Sequence, residues 1–111
     1  MIDLTFLKKF TNDDPKKMKR YISLYLETTP KTFEEMQLNI TCGDWEQLRI
    51  NAHSLKPLAD YMGINNLKKN LIEIEDAVKI NNIEGIEKLF NSALEIATNA
   101  DYLLKDALDQ F

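Results

Sequence analysis

Apolar residues recur every three or four positions along most of the chain, which is the signature of helices that each bury one face. The first long run carries Met18, Ile22, Tyr25, Thr29, Phe33, Met36 and Ile40, and the second carries Leu48, Ala52, Leu55, Ala59 and Met62. A third follows with Leu67, Leu71, Ile74 and Val78, and a fourth with Ile86, Phe90, Ala93, Ala97, Ala100, Leu104 and Leu108. Ahead of them, Leu4, Phe6, Leu7 and Phe10 predict a short leading helix that covers one end. The punctuation agrees. Asn12-Asp13-Asp14-Pro15 reads as a helix start, with an Asp cap and Pro at the first helical position. Cys42-Gly43-Asp44 ends one helix and caps the next, while Met62-Gly63-Ile64-Asn65-Asn66 and Asn81-Asn82 mark the two remaining breaks. Four long helices on short loops must alternate in direction, so the expected fold is all-α: an antiparallel up-down four-helix bundle with a short additional N-terminal helix. Pro30, inside the first long helix, predicts a kink near Leu26.

Composition narrows the reading. The chain has 111 residues, enough for a single domain over 1–111 and one core. Three Gly and three Pro are too few for a turn-rich β protein. A net charge of −4 makes a nucleic-acid backbone a poor partner. No apolar run approaches the ~18 residues of a membrane span, and no signal-peptide core follows Met1, so a cytoplasmic chain that does not engage membranes is expected. Cys42 is the only cysteine, which excludes an internal disulfide and a cysteine-cluster metal site. Met1 and the short ends lead us to expect a complete protein; a monomer is expected as well.

The single histidine is the informative residue. With His53 at zero and about 100° per residue, Leu48, Leu55, Ala59 and Met62 fall about 180–240° away. Glu46, Arg49, Lys56, Pro57 and Asp60 fall within about 60° of it, with Ile50 and Tyr61 on one flank. The imidazole is therefore expected in water, opposite the apolar face. A satisfied core histidine is disfavoured by that direction. One histidine with scattered carboxylates has no recognisable ligand spacing, so no metal site is expected. No orienting set for Ser/His/Asp chemistry is apparent either. What remains is an exposed imidazole nucleophile, suited to chemistry completed by a partner. Such a nitrogen can take a phosphoryl group from an acyl phosphate and return it. Lys56, one turn on, is placed to stabilise the phosphoryl oxygens. Ile50, Tyr61 and the neighbourhood of Tyr21 offer an apolar docking patch for a transient partner.

The segment Ala52-His53-Ser54-Leu55-Lys56-Pro57-Leu58-Ala59-Asp60-Tyr61-Met62-Gly63 resembles the histidine-containing phosphotransfer (HPt) domains of phosphorelays. The family pattern, A-H-x-L-K-G with a small residue three positions on and Gly ten after the histidine, is matched by Ala52, His53, Leu55, Lys56, Ala59 and Gly63. Leu67, Leu71 and Ile74-Glu75 continue it downstream, and Asp3 to Leu7, Asp13 to Pro15, Tyr25 to Pro30 and Gly43 to Trp45 continue it upstream. The resemblance implies an HPt bundle in which His53 Nε2 attacks the aspartyl phosphate of a response-regulator receiver domain, reversibly. It implies a carrier without kinase, phosphatase or ATP-binding activity and without a cofactor of its own, the receiver bringing the Mg²⁺. Receivers, and a hybrid histidine kinase, are the implied partners, meeting Arg49, Ile50, Pro57, Asp60, Tyr61 and Gly63 around the acceptor.

Pro57 departs from the pattern, which has Gly four residues after the histidine. Proline has no N–H for the carbonyl of His53, and its ring crowds that carbonyl. The expected result is a bend or a widened turn between His53 and Pro57, the competing one a helix that stops there. Two other functions stay in view. A helical adaptor that binds a receiver or another partner without chemistry would not need His53, Lys56 and Gly63 together. The dimerising histidine module of a sensor kinase needs an ATP-binding domain, and none follows before Phe111.

Overall fold

In the computed structural model, which describes all 111 residues, five helices follow one another: α1 (Thr5–Phe10), α2 (Pro15–Cys42), α3 (Trp45–Tyr61), α4 (Asn65–Lys79) and α5 (Ile83–Leu108). The starts and stops have local causes. Asp14 accepts a hydrogen bond from the Lys16 N–H, with Pro15 opening α2; Asp44 caps α3 through the Gln47 N–H, and Asn82 caps α5 through the Gly85 N–H. Gly43 ends α2 in the left-handed conformation, at φ +72°, which a side chain would oppose.

The four long helices pack around a ring, α2 against α3, α3 against α4, α4 against α5 and α5 back against α2, as the up-down bundle requires. The molecule measures 43 × 20 × 19 Å, its long axis set by the ~39 Å that 26 residues of α-helix span. Its core holds the predicted stripe residues, with Ile22, Tyr25, Met36, Leu48, Ala52, Ala59, Leu67, Leu71, Ile74, Ala93, Ala100 and Leu104 all fully buried. No helix is long and apolar enough to cross a membrane.

Both internal prolines are carried within continuous helices, Pro30 in α2 and Pro57 in α3. The widened turn expected at His53 to Pro57 does not occur, and Pro57 is not a helix boundary: the backbone is α-helical from Trp45 to Tyr61. Pro57 is exposed, so its ring projects into solvent and the carbonyl of His53, which has no N–H four residues on, lies on the wet side of the helix. α1 differs from the expectation in what it buries. Only Leu7 enters the core, while Phe6 and Phe10 stay 53% and 50% exposed.

Candidate functional site

The α3 arithmetic puts His53 on the outer face, and its side chain is 66% exposed. The helix beneath it is pinned by Leu48, Ala52, Leu55 and Ala59, so the imidazole stands on a rigid support. Its Nδ1 lies 3.1 Å from Oε2 of Glu75, which comes from α4. A carboxylate only accepts, so Nδ1 carries the proton and donates it, which leaves the Nε2 lone pair free. Nε2 is therefore the nucleophilic atom.

Glu75 is only 6% exposed, although it is charged. Two donors hold it there: the His53 Nδ1–H on one oxygen and, on the other, the Lys56 ammonium, whose Nζ lies 2.7 Å from Oε1. Burial by itself would push the Glu75 carboxyl up. The hydrogen bonds and charges of Lys56 and His53 outweigh it and keep the group below the ordinary carboxylate range. Lys56 is 23% exposed, so its tip sits at the edge of the same surface as the imidazole. An ammonium has three donors, and one spent on Glu75 leaves two for an incoming anion.

The sequence reading found His53 and Lys56 but gave Glu75 no part in the site. Glu75 lies 22 residues beyond His53, on another helix, and periodicity does not say which side chains meet across two helices. The available signal was a glutamate at a position flanked by the stripe residues Leu71, Ile74 and Val78, where a charge needs a partner.

The surrounding residues divide into charge and apolar surface. Arg49, one turn before His53, is bound to Glu46 through both guanidinium and carboxylate ends. Asp60 pairs with Lys68 of α4 at 3.0 Å. Ile50 is 45% exposed beside the histidine. Tyr61 lies two turns on, ~12 Å along the axis, and belongs to a four-ring aromatic cluster. Phe6, Phe10 and Tyr21 complete it, with ring centroids 5.3 to 6.0 Å apart. Tyr25, by contrast, is core.

Gly63 is packed from within the chain. Its φ is +66°, and a Cβ there would lie 2.0 Å from the Asp3 carbonyl oxygen. Asp3 donates its N–H to the Met62 carbonyl at the same corner. The glycine thus seats the segment that carries α1, and α1 supplies two of the four rings.

Comparison with known proteins agrees with this geometry. A family model described as the Hpt domain matches residues 20–111. Among solved structures, histidine-containing phosphotransfer protein B of Pseudomonas aeruginosa superposes with a TM-score of 0.91 at 16% identity, covering 99% of this chain and 96% of that one. The HPT domain of a sensor hybrid histidine kinase from Shewanella gives 0.84 at 21% identity, covering 99% and 95%. These two likenesses are of fold. No curated protein matches the sequence.

Proposed function

Because the chain belongs to the Hpt domain family, we propose that it is a phosphorelay intermediate in which His53 carries a phosphoryl group between receiver domains. The observation that supports this most is the pairing of an exposed imidazole with a buried carboxylate that fixes its free nitrogen outward. Nε2 donates its lone pair to the phosphorus of an aspartyl phosphate on the receiver. The P–O bond to the aspartyl carboxyl breaks, and that carboxylate leaves with the electron pair. The ring keeps its Nδ1 proton and becomes positively charged, and the Glu75 carboxylate faces that charge. Lys56 contributes positive charge to the phosphoryl oxygens from one turn away. The return step retraces this path to a second receiver.

The chain then needs no nucleotide site or metal of its own; the receiver contributes its acceptor aspartate and the Mg²⁺ that offsets charge on the phosphoryl group. The docking face is Arg49, Ile50, Pro57, Asp60 and Tyr61 around His53, extended by Phe6, Phe10 and Tyr21. Half-exposed aromatic rings suit a contact that must form and break. The carrier acts as a monomer in the cytoplasm.

A receiver loaded with radiolabelled phosphate tests the reading directly. Label is expected to move to this chain in an acid-labile, base-stable form, to be absent with His53→Gln, and to arrive more slowly with Lys56→Ala. Uptake by His53→Gln at the rate of the unsubstituted chain would overturn it.

A further inference from the structure

The α2–α5 seam is the loosest of the four in the ring, and it lies on the side of the bundle opposite the α3–α4 pair that carries His53 and Glu75. A cavity of about 260 Å³ opens there, along the turns from Thr29 to Gln37 on α2 and from Phe90 to Asp101 on α5. Its floor is apolar: Phe33 and Phe90 are buried, with ring centroids 5.8 Å apart, and Leu94 stands at the wall, 40% exposed. One end is polar. Thr29, 1% exposed, has its hydroxyl buried against that of Tyr25 one turn before it, where the two pair, and half-buried Asp101 holds one buried carboxylate oxygen with no hydrogen-bond partner. A carboxylate oxygen buried without a donor is unusual, because an unmade buried hydrogen bond is costly. The ionisable side chains lining the cavity are Glu34 and Asp101, both acids, and Lys105, the cation that acts on Asp101, lies a turn beyond the lining.

We propose that this groove between α2 and α5 binds a small organic ammonium ion, its apolar body against Phe33, Phe90 and Leu94 and its N–H donors toward Asp101 and Thr29. The buried Asp101 oxygen requires a donor, and the two carboxylates exclude phosphates and carboxylic acids. The volume lies below the ~300 Å³ at which drug-sized sites begin, which admits one ring or a branched alkyl chain with its ammonium group. Burial pushes the Asp101 carboxyl up, as expected of an acceptor held away from water. An ammonium beside Asp101 would favour its ionised form.

Phenethylamine, 2-phenylethanol and phenylacetate share a body and differ in charge, so they separate the alternatives. Titrated into the full chain and followed by amide NMR, phenethylammonium is expected to shift resonances of residues 29–37 and 90–101 saturably, the alcohol weakly and the acid not at all. Asp101→Asn should weaken the amine about tenfold or more, the worth of a charge-assisted hydrogen bond. Glu34→Gln, on an exposed rim position, gives a second reading in a variant whose fold is not at stake, and should weaken it less. Neither substitution touches His53, so phosphoryl uptake should stay unchanged. The proposal fails if none of the three probes moves these amides, which would leave water as the occupant. It fails equally if all three bind alike, or if amine binding survives both substitutions unchanged.

Discussion

A buried glutamate between a histidine and a lysine is costly unless all three are kept in register, and that cost makes Glu75 the most informative residue to change. Its carboxyl is held below its ordinary range in the fold, so the stability it lends is complete above the ordinary carboxylate value and fades as pH falls through the folded one. Glu75→Gln should therefore flatten the acid side of a plot of unfolding free energy against pH, read by denaturant titration between pH 3 and 7, a window spanning the ordinary carboxylate pKa of about 4.3. The same change removes the acceptor that faces Nδ1, and phosphoryl uptake by His53 should slow about tenfold, the equivalent of one charge-assisted hydrogen bond. An unchanged rate with an unchanged acid limb would mean that the glutamate neither orients nor stabilises. The direction of His53 was legible in the sequence because one helix fixes it. The role of Glu75 was not, because it depends on how α3 and α4 sit against each other.

At the scale of elements, the helices were written in stripes and caps: Asp14, Gly43, Asp44 and Asn82 each do at the chain's corners what their residue types do in general. Less was legible where two elements meet. The continuity of α3 through Pro57 could not be read from proline's usual cost of about 3 kcal/mol in a helix interior, because packing of Leu48, Ala52, Leu55 and Ala59 supports the helix on both sides of it. The exposure of Phe6 and Phe10 was equally hidden; their spacing resembles a buried face, but only Leu7 reaches the core. What fixes α1 is the corner at Gly63. Gly63→Ala adds a methyl where the Asp3 carbonyl already lies and strains a left-handed residue. It should cost about 1–3 kcal/mol and release the N-terminal segment. Hydrogen exchange at the Asp3 amide, bonded to the Met62 carbonyl, should then accelerate well before the rest of the bundle opens. Retained protection there would show that α1 is held some other way.

Across the whole molecule, the phosphoryl-accepting surface and the core are separable because each helix divides them between its two faces. The site rests on α3 and α4, and Ile22 lies on α2, fully buried and remote from the His53–Glu75–Lys56 cluster in sequence and in element. Ile22→Ala removes buried methyl groups from a close-packed interior and should lower the unfolding free energy by about 2–5 kcal/mol, seen as a lower midpoint in urea. Provided the variant stays folded at the assay temperature, its rate of phosphoryl uptake should match that of the unsubstituted chain. The nucleophile, its orienting carboxylate and the neighbouring ammonium move with α3 and α4, not with α2. A rate that fell in step with stability would instead tie acceptor geometry to the entire ring of helices, and the rigid support under His53 would then be a property of the bundle and not of one helix pair.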